Sequence, residues 1–171
     1  GLGTFGSTNV ITLLANGAVA VYAADLDGDT DIDVLSASSL DDEVAWYENT
    51  DGLGTFGPQK IISTLADQPR SVVATDIDGD GEPDIVQSSH ATGSVYAFDA
   101  SGNALPNWPQ NLNETIQGAV ALADLDGDGV LDVIAAGSQV CFGCGTGGVL
   151  AAFNGDGLPL AGWPRSEEHT S

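Results

Sequence analysis

A nine-residue acidic segment occurs three times in this chain. It occupies residues 25 to 33, 76 to 84 and 124 to 132, so successive copies begin 51 and 48 residues apart. Each copy has aspartate at positions 1, 3, 5 and 9 and glycine at position 4. Self-similarity at a fixed period is typical of architectures that stack equivalent units. We therefore expect the chain to fold as successive copies of one unit of about 50 residues.

The acidic positions favour a bound cation. Two carboxylates in close contact repel by roughly 4 kcal/mol at an intermediate effective dielectric, so four of them in one tight loop are unfavourable without a positive ion. Calcium accepts six to eight oxygen ligands in a flexible geometry, whereas magnesium requires a near-ideal octahedron and retains its waters. The sequence therefore predicts about three calcium ions, one in each segment.

The residues around each segment indicate a β-hairpin site. An EF-hand loop needs flanking helices and a bidentate glutamate at position 12. In this chain position 12 never carries a carboxylate, being Ser36, Gln87 and Ala135. In a hairpin site the backbone carbonyl at position 7 is a further ligand, which would come from Asp31, Glu82 and Val130.

The pattern within a repeat predicts four strands. In the first repeat, short runs rich in Val, Ile, Ala and Tyr cover residues 18 to 24, 33 to 38, 43 to 48 and 59 to 63. No segment has an apolar stripe of helical period and length. Four strands in about 50 residues correspond to one blade of a β-propeller.

The sequence thus predicts an all-β fold, a partial β-propeller of about three four-stranded antiparallel blades with calcium loops in hairpins. Residues 1 to 15 are expected to hold the last strand of a preceding blade, at residues 10 to 14. The three blades are then expected over residues 16 to 66, 67 to 117 and 118 to 164. Because the chain starts at Gly1 and contains no methionine, we interpret it as either a mature product or, more simply, a fragment of a longer protein.

The last seven residues have a different origin in this interpretation. Residues 165 to 171 read Arg-Ser-Glu-Glu-His-Thr-Ser, which is the in-frame translation of a common sequencing adapter, AGATCGGAAGAGCACACGTCT. We therefore expect the natural protein to differ from this sequence after Pro164. We assign no function to the acids and the histidine of the last seven residues.

The charge excludes several classes of partner. The formal net charge is −22, and 14 of the 25 acids lie in the three acidic segments. With only three Lys and Arg residues, the chain is unsuited to nucleic acid or to anionic membrane surfaces. Its 42% hydrophobic content argues against disorder, and no apolar run approaches the length of a membrane span.

Several motifs in fixed order resemble FG-GAP and VCBS-type repeats. They are the strand-flanked acidic segment, then Val44-Ala-Trp-Tyr-Glu-Asn49 and Thr55-Phe-Gly-Pro58. The resemblance covers nearly all of residues 7 to 164. Such repeats, as in the integrin α-chain head, imply a β-propeller with calcium in the hairpin loops of successive blades. They also imply an extracellular or cell-surface protein that serves adhesion or ligand binding.

The resemblance also implies a ligand set for each ion. It assigns the side chains at positions 1, 3, 5 and 9, namely Asp25, Asp27, Asp29 and Asp33, then Asp76, Asp78, Asp80 and Asp84, then Asp124, Asp126, Asp128 and Asp132. The first copy departs from the family pattern because Thr30 stands where glycine is usual. We expect a stiffer loop and weaker calcium binding there.

The two cysteines, Cys141 and Cys144, lie three residues apart in a glycine-rich stretch. In an oxidising compartment such a pair most simply forms a local disulfide, which agrees with secretion. A zinc site would need two more ligands, and a thioredoxin-like motif would need a βα context that the sequence lacks.

Function is predicted as non-catalytic, namely a calcium-stabilised propeller segment for adhesion or for recognition of a protein or glycan. The expected partners are that unidentified ligand and further blades of the same parent chain. The alternative is the propeller part of an extracellular enzyme, such as a calcium-dependent polysaccharide lyase, although Lys60 and Arg70 are too few to neutralise a uronate. A quinoprotein-like propeller is a weaker alternative, because the 97 to 108 segment resembles only part of that family's tryptophan motif.

Overall fold

The computed structural model describes residues 9 to 138 and 148 to 163, together with the backbone of residues 165 and 166. Within these ranges every regular element is a β-strand, and the strands form three antiparallel sheets in chain order. The all-β prediction of repeated, four-stranded, propeller-like blades is confirmed. None of the described residues belongs to a helix long and apolar enough to cross a membrane.

The first sheet is a simple meander. Its strands follow the order β1-β2-β3-β4, with bounds Ala18–Ala24, Asp33–Ser38, Glu43–Tyr47 and Lys60–Ser63. The first two agree with the predicted ranges, and the other two differ from them by one residue at one end.

The second sheet repeats this meander. Its strands follow the order β5-β6-β7-β8, with bounds Pro69–Thr75, Asp84–Ser89, Ser94–Phe98 and Gln110–Asn111. A register shift interrupts the first strand pair of both sheets near the end that lies away from the acidic loop, between Ala18 and Ala20 and between Pro69 and Ser71.

The third sheet has an interrupted first strand. Its strands are β9 (Thr115–Ile116), β10 (Ala121–Ala123), β11 (Asp132–Ser138), β12 (Gly148–Phe153) and β13 (Arg165–Ser166). Both β9 and β10 pair with β11, so together they replace the single first strand of the other sheets. Residues 115 and 116 therefore lie in the third sheet, whereas the sequence places them before a boundary at residue 117.

Residues 10 to 14 form no strand, although the sequence predicts one there. A strand is stable only when its backbone groups pair with a neighbour, and no described strand is hydrogen-bonded to this segment. The segment instead borders a cleft on the outer part of the first sheet, with Tyr47 and Pro58 on the other side.

Two apolar layers hold the sheets together, face to face. Between the first and second sheets, Leu35 and Trp46 are packed in one cluster with Val72 and Ile85. Between the second and third sheets a larger cluster has the same construction and includes Val86, Val95, Trp108, Val133 and Phe153. Among the described residues, these layers join each sheet to the next one along the chain, as in other repeat architectures.

Candidate metal centre

The three acidic segments form the connection between the first two strands of each sheet. They join β1 to β2, β5 to β6 and β10 to β11, and in each case the aspartate at position 9 is the first residue of the second strand. That aspartate is almost fully buried in all three copies, as Asp33, Asp84 and Asp132. Each loop is therefore anchored at the edge of the packed sheet, and Leu26 and Ile77 at position 2 are buried as well, while the other residues of the loops face solvent or are half-buried.

In the second loop, the carboxylate at position 1 organises the turn. Asp76 Oδ1 accepts a hydrogen bond from the Gly79 N–H at 2.7 Å, and Oδ2 accepts one from the Gly81 N–H at 3.0 Å. Position 9 closes the loop, because Asp84 Oδ2 accepts the Ile77 N–H at 3.0 Å. The backbone amides of the turn thus point inward towards the carboxylates.

The other two loops repeat these hydrogen bonds. Asp25 and Asp124 each accept two backbone N–H groups, at 2.8 and 2.9 Å in the first loop and at 2.6 and 3.1 Å in the third. The closing bond to position 9 is 3.2 Å from Leu26 to Asp33 and 2.8 Å from Leu125 to Asp132. The repeat in sequence is therefore a repeat in geometry.

At positions 3 and 5, one oxygen of each carboxylate accepts a hydrogen bond from the backbone of the turn. In the second loop Asp78 Oδ1 accepts the Asp80 N–H at 3.2 Å, and Asp80 Oδ1 accepts the Glu82 N–H at 2.8 Å. A carboxylate offers two oxygens with about four lone-pair directions, so these bonds leave acceptor capacity on both side chains. That remaining capacity is what a hard cation requires.

The carboxylates converge closely enough to share one ion. In each loop three of them offer oxygens that all lie within 4.8 Å of one another, namely Asp25, Asp27 and Asp29, then Asp76, Asp78 and Asp84, then Asp124, Asp126 and Asp132. Oxygens bound to one calcium ion at 2.3 to 2.6 Å lie at most about 5 Å apart, so these separations are compatible with a shared ion. The donor set fits calcium, and the three clusters could each hold an ion.

Burial and the neighbouring acids disfavour the ionised form of the carboxyl groups at position 9 in the second and third loops. Burial raises the pKa of the Asp84 carboxyl to about 6, and the carboxylates of Asp78 and Asp80 add to the rise against the lowering effect of the Ile77 N–H. Burial likewise raises the pKa of Asp132, with further contributions from the acids of its own loop. Ionised carboxylates at these positions therefore destabilise the fold when no cation is present.

The first loop differs from the others in two respects. Thr30 at position 6 has φ of 77°, where the other loops have Gly81 and Gly129 at φ of 94° and 92°. In addition, Asp33 accepts a second backbone bond, from the Asn49 N–H to Oδ1 at 2.8 Å. The close carboxylate cluster of this loop correspondingly includes position 5 in place of position 9.

The second and third loops are neighbours across the boundary between their sheets. A cleft of about 80 Å³ between them is lined by Asp78, Asp128 and Asp132 and by the turn after β12. That turn is held in place by Trp108, whose indole N–H donates to the Gly155 carbonyl at 2.9 Å. Gly155 lies so near the second loop that an added Cβ would overlap the Ile77 carbonyl, so a residue with a side chain is excluded there.

The structure does not test the roles predicted for the remaining site residues. Asp31, Glu82 and Val130 occupy position 7 as predicted, and whether their carbonyls bind an ion stays a prediction. Cys141 and Cys144 lie outside the described residues. Sequence reasoning assigned no role at the acidic loops to Asn49 or Gly155, because each contacts a loop that is distant in the sequence. The only sequence signal was the Asn and Gly content of the turns in which they lie.

The three sheets with their acidic hairpin loops define an all-β repeat protein of the partial β-propeller class. The chain belongs to the FG-GAP-like repeat family, which matches residues 25–87 and 76–135.

Among solved structures, the chain is similar to the V. cholerae biofilm matrix protein Bap1, with 21% sequence identity and a TM-score of 0.44. The similarity covers 82% of this chain and 27% of the Bap1 chain. Among curated proteins, none matches the sequence.

Proposed function

We propose that this chain is a non-catalytic, calcium-binding segment of a β-propeller in a secreted or cell-surface protein, where it serves adhesion or recognition of a protein or glycan. The observation that carries the calcium assignment is the convergence of Asp76, Asp78 and Asp84, with its counterparts in the other loops, to oxygen separations within 4.8 Å. The ions would hold the ends of the first two strands of each blade together.

The ligand set supports calcium in particular. Carboxylate oxygens from positions 1, 3, 5 and 9 and the carbonyl at position 7 would give the hard, all-oxygen shell that calcium prefers. Three bound ions would bring the formal net charge from −22 to about −16 and would remove the repulsion inside each loop.

The proposed extracellular location predicts weak sites that the calcium present outside cells would fill. Calcium sites of extracellular modules typically have dissociation constants of about 0.1 to 1 mM. Loops of this affinity would be filled outside cells and largely empty at cytosolic calcium levels. The family supports the same location, and the unidentified ligand would bind to surfaces away from the acidic loops.

The chemistry of the described residues supports a binding role over catalysis. Lys60 is paired with Glu48 and lies 4.0 Å from the centroid of the Trp46 ring, so it is committed to a structural contact. Trp46 and Trp108 are buried between sheets, so they pack the blades and do not offer stacking platforms. An enzymatic role for the parent protein would require groups supplied by other parts of it.

The decisive experiment is calorimetric titration of calcium into chelator-treated protein, with a thermal melt at each end point. We expect three ions per chain and a higher melting temperature with calcium. At about 100-fold excess over its dissociation constant, each ion would add roughly 2.7 kcal/mol to the free energy of unfolding.

Two variants of the second loop make the assignment specific. Asp78→Asn removes a predicted side-chain ligand and should reduce the stoichiometry to two ions. Glu82→Gln is the matched control, because it removes the same charge from a position where only the backbone carbonyl is a predicted ligand. A chain that binds no calcium, or equal losses in both variants, would contradict the proposed site.

A further inference from the structure

The two interfaces between sheets are filled differently beside their third strands. Between the first and second sheets, the rings of Tyr96 and Phe98 are stacked, with their centroids 6.0 Å apart and their planes inclined by 8°. Ala66, from the connection that joins the two sheets, is buried in the same cluster. The Tyr96 hydroxyl donates a hydrogen bond to the Leu65 carbonyl at 3.1 Å. An aromatic pair from β7 thus fills this part of the first interface.

The third sheet lacks one ring of this pair. Tyr96 is paired with Gln87, which stands at position 12 counted from the start of the second acidic loop. The residue at the same position of the third copy is Ala135, and it is paired with Ala151. Ala151 therefore occupies the position of Tyr96. The second interface has a methyl group where the first has a phenol ring.

The other ring of the pair is present in both sheets. Phe98 is paired with Ile85, at position 10 of the second copy. In the third sheet Phe153 is paired with Val133, which is also at position 10. The Phe153 ring makes an edge contact with Trp108, with centroids 5.9 Å apart, and among the described rings none is stacked parallel on it. The second interface therefore keeps the phenylalanine and lacks its stacking partner.

A cleft of about 230 Å³ lies at the position of the missing ring. Its floor is formed by Leu112, Ala151 and Phe153, whose side chains are 5 to 8% exposed. All three belong to the apolar layer between the second and third sheets, so the cleft continues an interface that is already packed inside the molecule. A protein cavity of about 150 Å³ is large enough for benzene, so the cleft has room for an aromatic ring.

The rim of this cleft is polar and uncharged. It carries the amide side chains of Gln110, Asn111 and Asn113. Asn111 is held in place, because its Nδ2 donates to the Thr92 carbonyl and to Ser94 Oγ, both at 2.8 Å. Among the described residues, none that lines the cleft has an ionisable side chain, although the chain contains 25 acids. The cleft therefore suits a neutral apolar group that is flanked by hydrogen-bonding groups.

We propose that this cleft, which we call the Ala151 cleft, binds an aromatic side chain of a protein partner. The inference rests on the proposed function, and it specifies a protein as the ligand and a ring as the point of contact. The ring would lie beside Phe153 as Tyr96 lies beside Phe98. The amides of the rim would pair with the partner's backbone on either side of the ring. Aromatic side chains in desolvated pockets are frequent anchors of protein interfaces.

A sugar ring suits the same cleft less well. A pyranose carries hydroxyl groups around its edge, and each buried hydroxyl needs a hydrogen-bond partner. The floor formed by Leu112, Ala151 and Phe153 offers only apolar side chains. An aromatic ring has two apolar faces and leaves no such group unpaired.

Titration of p-cresol into the calcium-loaded chain, followed by ¹H–¹⁵N NMR spectroscopy, tests the Ala151 cleft directly. This probe is the side chain of tyrosine without its backbone. We expect one site with a dissociation constant on the order of 1 mM, as is typical of so small a ligand. The largest shifts should occur in the amides of residues 110 to 113 and 149 to 153.

Reciprocal variants make the assignment specific. Ala151→Tyr supplies the missing ring and should weaken p-cresol binding by about ten-fold or more, because the new side chain occupies the cleft. Ala119→Tyr is the matched control, because it adds the same ring at an exposed position that does not line the cleft. Tyr96→Ala opens the equivalent space in the first interface, so p-cresol should raise its melting temperature more than that of the wild type. Circular dichroism verifies folding, and Tyr96→Ala retains the comparison if Ala151→Tyr does not fold.

A second set of probes separates a protein partner from a glycan. N-acetyltyrosinamide has peptide groups on both sides of its ring, so the rim should make it bind about three- to ten-fold more tightly than p-cresol. N-acetylleucinamide lacks the ring and should bind about ten-fold more weakly than the tyrosine derivative. Methyl β-D-glucopyranoside is the sugar probe, and it should shift no amide of the cleft up to about 20 mM.

Four results would overturn the proposal. The first is a wild type without saturable p-cresol binding up to about 20 mM. The second is a set of shifts confined to residues outside the cleft. The third is a folded Ala151→Tyr variant, or a Tyr96→Ala variant, that responds to p-cresol as the wild type does. The fourth is binding of the glucoside in the cleft, which would make a glycan the ligand.

These outcomes are distinguishable from a failure of the calcium assignment. Calcium binding is measured by calorimetry, whereas occupation of the cleft is measured by NMR spectroscopy. A chain that binds three ions and no p-cresol would retain the proposed function and lose only this inference. A chain that binds p-cresol in the cleft and no calcium would lose the metal sites and retain the inference.

Discussion

Asn49 donates its backbone N–H to Asp33 Oδ1 across 2.8 Å, and this bond ties the turn after β3 to the base of the first acidic loop. The two residues are 16 positions apart, and both are buried. Asp33 is therefore held from two sides, by Asn49 and by the Leu26 N–H. Position 9 of this loop is set by protein contacts as well as by any ion.

The side chain of Asn49 extends the same link and gives a first prediction. Its Nδ2 donates to the Ile32 carbonyl at 3.2 Å, and its Oδ1 accepts the Gly54 N–H at 3.1 Å. Asn49→Ala should lower the free energy of unfolding by about 1 to 3 kcal/mol, since it leaves two backbone groups without partners. Urea denaturation measures this change. Asn9→Ala, which removes an exposed 3.4 Å bond to the same turn, should have little effect.

The backbone of Thr30 gives a second prediction. A β-branched residue in the left-handed backbone region is strained by roughly 1 to 2 kcal/mol. Glycine would remove this strain, but the greater entropy of its unfolded chain would offset part of the gain in stability. Thr30→Gly should therefore raise the free energy of unfolding by about 1 kcal/mol and tighten calcium binding in the first loop. The reciprocal change, Gly129→Thr, should lower stability by a similar amount. If Thr30→Gly were destabilising, the φ of 77° would not be a source of strain.

The close approach of Gly155 to the second loop gives a third prediction. Gly155→Ala forces the backbone of Ile77 to move, so we expect a loss of about 1 to 3 kcal/mol in stability and weaker calcium binding by the second loop. Gly118→Ala is the control, because an added Cβ there meets no atom within 4 Å. Chemical denaturation and calorimetry of both variants measure the two effects, and equal behaviour would show that the contact is not tight.

The pKa of Asp84 gives a fourth prediction, for the metal-free protein. The folded-state pKa of about 6 lies above the ordinary value of 3.8, so the folded state binds more protons than the unfolded state between these values. Stability should therefore fall as pH rises from about 4 to 6, by an amount on the order of 2 kcal/mol for this group. Asp84→Asn should flatten that part of the profile, measured by urea denaturation with chelator present. Calcium should reverse the slope, because it binds the ionised carboxylate.

The parts of the structure that the sequence predicted depend on local patterns. The acidic period located the hairpins, and alternation of Val, Ile and Ala with turn residues located β1 and β2 to the residue. The carboxylate clusters were predictable for the same reason, since their members lie within nine consecutive positions of one turn.

The remaining features depend on contacts between distant residues. Residues 10 to 14 have the composition of a strand, but no strand of the described chain pairs with them. Thr115 and Ile116 were assigned to the wrong side of a boundary because only their pairing with Gly137 and Ser138 reveals their sheet. Trp108 is similar in this respect, because its hydrogen bond to Gly155 spans 47 positions.

Val72 and Val120 lie four residues before successive acidic loops and pack in successive apolar layers, and this equivalence has a consequence for how such a chain can evolve. Because successive blades are joined by apolar layers of similar construction, an in-frame duplication of one repeat would supply a new unit already matched to its neighbours. Growth or shortening of the array then requires no compensating substitutions inside it.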